Sequence, residues 1–249
     1  MTVQEELLTA AEGAALIGAP QNLRSRQAPA RRTPWVSADE RQRAVAERFR
    51  RDVARHEMIV CHSDGVYRHL RFKAPDTIEF WFDIVTWPGS LAIRGDIDGY
   101  MFSRTRDMFE FFRADRRWGI NPHYWAEKSE GGRRSVQVYS EDLFRQLVVE
   151  HFVDAARWGG VPAGTGKALR TWVLDEDLSD EHHARNVLED FAHQGFEFPD
   201  VWEWDFYDYT PSFLWACHAI QWGIARYDRV RRYGLPQLAA PAPKEAGRG

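Results

Sequence analysis

The sequence predicts an α+β fold, an antiparallel β-meander of three to four strands packed with about five helices. Three observations carry that expectation. Apolar and polar residues alternate between Val66 and Arg104, the period of a half-buried strand. Two turn dipeptides, Pro88-Gly89 and Asp98-Gly99, punctuate the same stretch. From Met108 onward the apolar spacing lengthens to three and four residues, as on one face of a helix. Strands followed by helices place sheet and helices in separate layers.

Taken in order, Val3–Leu16 suits a short helix, and the Ala/Pro/Arg/Gln stretch after it has no apolar period. Residues 1–35 are therefore expected to form a mobile segment, 36–234 a single α+β domain, and the Pro- and Ala-rich residues 235–249 a disordered tail. Ser37 with Glu40 makes a capping box, and Val45, Phe49 and Val53 continue as one helical stripe ending near His56. The strand Val66–Lys73 turns Val66, Leu70 and Phe72 to one face, with Arg68 the exception. Ile78–Trp87 does the same with Ile78, Phe80, Phe82 and Ile84. Trp87-Pro88-Gly89-Ser90 suits a type II turn, because proline presets the second φ and glycine supplies the positive third. Leu91–Ile97 follows, and Asp98-Gly99 reads as a type I′ hairpin into Tyr100–Arg104.

The helices come next. Met108, Phe109 and Phe112 suggest a short one, and Asn121-Pro122 a turn. Ser140 caps a helix with the stripe Phe144, Leu147, Val148, Phe152 and Ala155, stopped by Gly159-Gly160. Ser179 opens another, with Asp180 and Glu181 in its first turn and Gly195 closing it. The longest spans Pro211–Tyr233 and ends at Gly234.

Composition narrows the function classes. With 44% hydrophobic and 28% charged residues the 249-residue chain is ordinary for a globular protein. No apolar run approaches the roughly 20 residues of a membrane span. Glu5 and Glu6 give the wrong charge order for a signal peptide. The two cysteines, Cys61 and Cys217, lie far apart, so a reducing, cytoplasmic setting without a disulfide framework is expected. Net charge is −4, which weighs against direct nucleic-acid binding. Charge is nonetheless segregated: residues 171–210 hold twelve acids against Arg185 alone, net −11, while residues 21–55 hold ten arginines against four acids, net +6.

Several motifs fall short of a chemistry. Gly164-Thr165-Gly166-Lys167 resembles part of a phosphate loop, but Val161 and Ala168 stand where that pattern needs glycine and a hydroxyl residue. Cys61-His62 and Cys217-His218 are adjacent in sequence, so their side chains diverge. His62, His69, His123 and His182-His183 lack metal-ligand spacing; no metal or cofactor is expected. The sharpest constellation is the polar face of the meander. Strand alternation puts His69, Arg71, Glu79, Trp81, Asp83, Arg94 and Asp96 opposite the apolar set, with Trp87 on the same side. Such a group can grip a polar ligand, and equally it can form cross-strand ion pairs.

The stretches Tyr67–Phe72 (YRHLRF), Phe82–Gly89 (FDIVTWPG), Gly95-Asp96, Phe102–Arg104, Asp107–Phe109, Ile120–Pro122, Tyr124–Lys128 (YWAEK), Trp202–Trp204 (WEW), Phe213–Trp215 (FLW), Ala219-Ile220 and Tyr227-Asp228 resemble an accessory-protein family. Its members occur in tailed phages, prophages and actinobacterial genomes. The likeness spans about Ser37 to Asp228. It implies an intracellular setting and admits a phage origin.

The leading expectation is an accessory protein of the phage or prophage type. It would bind a host or defence macromolecule in the bacterial cytoplasm, a protein with a basic surface, through Asp200, Trp202, Glu203, Trp204 and Asp208. The alternative is an enzyme or small-ligand binder using His69, Arg71, Asp83, Arg94, Asp96, Trp81 and Trp87 on the meander face.

Overall fold

The computed structural model describes residues 35–114, 119–234 and 238–239. The expected helix Val3–Leu16, the segment 1–35 apart from Trp35, and most of the tail lie outside the described residues. The fold is α+β: the described residues hold seven α-helices and a sheet of five antiparallel strands. The chain divides into two compact units, Arg41–Val138 with Tyr209–Gly249, and Met1–Glu40 with Tyr139–Asp208.

The first unit holds the sheet. Its strands are β1 (Glu57–Asp64), β2 (Tyr67–Lys73), β3 (Phe82–Trp87), β4 (Ser90–Gly95) and β5 (Tyr100–Ser103), paired in that order. Leu238–Ala239, within the segment read as a tail, pairs in parallel with Ile59 and Val60 at the β1 edge. The count is thus five antiparallel strands rather than three to four. The strand the sequence concealed is β1, where a register shift between Val60 and His62 breaks the alternation.

Two further differences arise at turns. Ile78 is 82% exposed and Phe80 has φ 57°, so β3 begins only at Phe82. The Phe80 N–H donates to Asp96 Oδ2, the Asp96 N–H donates to Trp81 O, and a Cβ on Gly95 would lie 2.1 Å from that same carbonyl. The expected type I′ turn at Asp98-Gly99 does not form: neither residue has a positive φ, and the last register pair is Ile93 with Tyr100. Asp98 instead uses Oδ1 to accept the Gly99 N–H. The Pro88-Gly89 turn is as expected, with Gly89 at φ 87° and Trp87 opposite Ser90.

Helix α1 (Ala38–Asp52) is capped by the Ser37–Glu40 box and sends Val45 and Phe49 into the sheet core. Met58, Leu70, Phe72, Phe82, Ile84, Leu91, Ile93 and Phe102 form the sheet's side of that core. Short helices α2 (Met108–Ala114) and α3 (Pro122–Ala126), the latter where only a turn was expected, add Phe109, Phe112 and Trp125. Phe72 stacks on Phe82 at 4.7 Å, and Trp215 meets Phe82 edge-on at 5.5 Å. Each such ring contributes about 1.5–3 kcal/mol on burial. Arg68, the exception on the apolar face, is buried because it forms a two-bond ion pair with Asp107 at 2.9 Å and lies 4.5 Å over the Phe109 ring.

The second unit is mostly helical, with α4 (Glu141–Arg157), α5 (Thr165–Leu169), a π-helical turn (Arg170–Leu174) and α6 (Glu181–Glu189). Ser140 caps α4, whereas α6 is capped by Asp180, one residue beyond the expected Ser179. Gln194 and Gly195, with φ 51° and 84°, link the two-residue strands Ala192–His193 and Phe196–Glu197. Consecutive positive φ values are the type I′ pattern, so Gly195 turns a hairpin rather than closing a helix. The last helix, α7 (Pro211–Tyr233), returns to the sheet unit. It is capped by Thr210 at its start and Gly234 at its end, and it lays Gly223 against Ile84 and Phe72. No helix among the described residues is long and apolar enough to cross a membrane.

Candidate functional site

The outward face of the sheet carries the site. Along β2 the exposed or half-buried positions are Tyr67, His69, Arg71 and Lys73; along β3 they are Val85 and Trp87; along β4, Ser90, Ala92 and Arg94, with Gly95 half-buried at the strand end. Asp83 points the same way by alternation and yet is fully buried. Its burial comes from its neighbours, because the register sets Arg71, Asp83 and Arg94 side by side across three strands. Arg71 donates Nε–H and Nη2–H to the two Asp83 oxygens at 2.8 Å each. Arg94 adds a longer bond, Nη2 to Oδ2 at 3.3 Å. His69 Nε2 sits 3.2 Å from the same oxygen, within ion-pair range but not aligned as a hydrogen bond. Trp81 packs beneath both guanidinium groups, 5.3 Å from Arg71 and 5.7 Å from Arg94.

The electrostatics follow from this geometry. Burial acts to raise the Asp83 carboxyl, but the hydrogen bonds from Arg71, with the Arg71 charge and the adjacent His69 ring, more than offset it, holding it below the usual carboxylate range. The hydrogen bond to Asp83 in turn pushes the Arg71 guanidinium up. Asp83 therefore stays ionised and fixes two otherwise flexible cations. A guanidinium has five N–H donors; Arg71 spends two on Asp83 and Arg94 one, and the Arg94 side chain is 65% exposed. Donors remain for an incoming anion. Cys61, at the β1 bulge, has its thiol pushed up by burial and by Asp83 against the pull of Arg71, which leaves it a poor nucleophile.

Of the seven sequence-predicted ligand residues, the structure brings together His69, Arg71, Asp83, Arg94 and Trp81. Asp96 is diverted to the Phe80 amide, and Trp87 lies four residues along β3 from Asp83. Among the partner-binding candidates, Trp202 is 71% exposed, and Asp200 and Glu203 beside it are exposed as well. Trp204 is partly buried, stacked 3.8 Å from the His151 ring and packed on Phe198 and Phe206; Asp208 is half-buried. Arg185 donates to the Val201 and Trp204 carbonyls and so pins this segment.

The other sequence motifs serve local structure. Thr165 is buried, donates to Pro162 O at 2.8 Å, and lies 3.0 Å from His193 Nδ1. Cys217 is a core thiol. Among the described residues no group of three or more His, Cys, Asp and Glu is placed to hold a metal.

Charge divides along the same line as the fold. The sheet unit, Arg41–Val138 with Tyr209–Gly249, contains 24 Lys and Arg against 16 Asp and Glu, net +8. The other unit has 9 against 21, net −12. The whole-chain value of −4 thus conceals one basic unit and one acidic one. No family model, curated protein or solved structure matches this chain. Its class rests on its own geometry: an α+β protein whose sheet turns a paired-arginine cluster outward.

Proposed function

We propose that this protein binds an anionic group, a phosphate or carboxylate, on the outward sheet face between Arg71 and Arg94. The observation that carries the reading is the fully buried Asp83, which aligns both guanidinium groups over Trp81 while leaving donors unspent. Preorganised charged donors lose little side-chain entropy when an anion arrives. The +8 charge of the unit adds local attraction within a screening length of the site. Titration calorimetry with pyrophosphate and with citrate tests it. Binding is expected in the millimolar range or tighter, about −4 kcal/mol or more, and Arg94→Met should remove it. Unaltered binding by that variant, or none by the parent, refutes the assignment.

A second reading keeps the acidic unit as a docking surface for a protein with a basic surface, which suits the resemblance to phage accessory proteins. Trp202, flanked by exposed Asp200 and Glu203, is the observation that favours it. Lys substitutions at Asp200 and Glu203 should slow association with such a partner more than they speed dissociation. A partner whose association rate is the same at low and high salt removes this reading.

A further inference from the structure

We infer that the outward sheet face is a platform for single-stranded nucleic acid, an inference that rests on the anion-binding reading above and names its ligand. The face carries two rows of side chains across the strands. One is Arg71–Asp83–Arg94. The other is aromatic: Arg68 with Thr86 is the last β2–β3 register pair, and Tyr67 and Trp87 are the next residues outward on the two strands, at the same end of the sheet. Four residues of β3 separate the rows, about 13 Å at the rise of a strand, and His69, Val85 and Ala92 form the row midway. A short run of extended nucleotides bridges that span.

The two rows match the two needs of a single strand. Its phosphates take guanidinium groups, and its unpaired bases take exposed rings, since every base has a π-face. Tyr67 is 53% exposed and the Arg94 side chain 65% exposed, so ring and cation both face solvent. The outward cations Arg71, Lys73 and Arg94 are opposed by Glu57 and by an Asp83 that is covered from solvent, while exposed Asp64 beside Tyr67 and Glu130 beside Ser103 lie at the two ends of the ring row, away from the guanidinium groups. A duplex, whose bases are already stacked, gains nothing from the ring row. An acidic protein would use the arginines and leave the rings idle. The net −4 of the whole chain argues against a nucleic-acid ligand only while its charge is treated as uniform; the unit that carries this face is at +8.

The test uses the full chain, fluorescein-labelled oligo-dT and oligo-U, the same-length duplex, and unlabelled pyrophosphate in parallel calorimetry. Anisotropy should report single-strand binding that weakens with salt, with a slope in log K of about −0.7 per phosphate contacted. Arg94→Met should make that slope shallower by about the same amount. Tyr67→Ser, at an exposed position outside the core, should weaken the oligonucleotides roughly fivefold or more while leaving pyrophosphate unaffected. Arg94-dependent binding of pyrophosphate without binding of either oligonucleotide overturns this inference and leaves the anion site standing. Failure of both overturns both. Equal affinity for duplex and single strand, or oligonucleotide binding indifferent to Tyr67→Ser, also overturns it.

Discussion

Replacing Asp83 by Asn keeps the volume of a fully buried side chain and removes its charge. Asp83 accepts two bonds from Arg71 at 2.8 Å and one from Arg94 at 3.3 Å. The amide offers one acceptor oxygen and turns an NH2 group toward cationic donors. Removing one partner of a buried ion pair costs about 3–5 kcal/mol. Here Arg71 and Arg94 are 37% and 65% exposed and can turn toward water, which reduces the loss to about 2–3 kcal/mol. With a urea slope near 2 kcal/mol/M, the unfolding midpoint should fall by about 1–1.5 M. The acid limb changes too. The Asp83 carboxyl is held below its ordinary value in the folded state. Its stabilisation is therefore present above the unfolded pKa near 3.9 and is lost as pH falls through the lower folded value. Asp83→Asn should unfold at a pH-independent disadvantage above about pH 5 that shrinks in stronger acid. An unchanged urea midpoint at pH 7 would mean that Asp83 does not hold the arginines, and the site as drawn would fall with it.

Three further outcomes are expected. Gly95→Ala should lower stability by about 3 kcal/mol or more, since its Cβ would sit 2.1 Å from the Trp81 carbonyl, whereas Gly99→Ala, whose Cβ meets nothing closer than 3.6 Å, should stay within about 0.5 kcal/mol. Equal urea midpoints for the two variants would refute the loop geometry. Gly223→Val should cost about 1–3 kcal/mol, because a Cβ there would already lie 2.7 Å from Ile84 Cδ1 and 3.1 Å from Phe72 Cζ; a neutral result would show that α7 does not approach the sheet this closely. Burial, with the Arg50 charge adding to it, lowers His218 to about 4, so the unfolded state binds more protons between that value and its own pKa near 6.5. Stability should be full above about pH 6.5 and decline by about 3 kcal/mol as pH drops toward 4, and His218→Phe should flatten that decline in thermal melts; an equally steep decline in the variant would remove His218 as its source.

The sequence by itself determined the elements whose information is local. The capping box at Ser37–Glu40, the type II turn at Gly89 and the Thr210-to-Gly234 extent of α7 each depend on a few adjacent side chains, and each was legible there. The paired row Asp83–Arg94 was legible too, because Pro88-Gly89 is a tight turn and a tight turn fixes register. Other features needed the fold. The β1 bulge hid its strand from a period-two pattern, and the β4–β5 hairpin closes through a longer loop than the type I′ turn expected at Asp98-Gly99, with Asp96 bonded to the Phe80 amide instead of lying in the strand. The acidic run 171–210 was legible in the sequence, but the assignment of a +8 unit to the sheet depends on where the chain leaves that unit and returns to it. Arg68 read as a misplaced cation until Asp107, thirty-nine residues away, supplied its partner. In the same way Asp83 read as a surface carboxylate, and only the arginines packed over it made it a buried anchor. Local sequence encodes dihedral preference and facing; burial and pairing between distant side chains come into being only when the chain closes on itself.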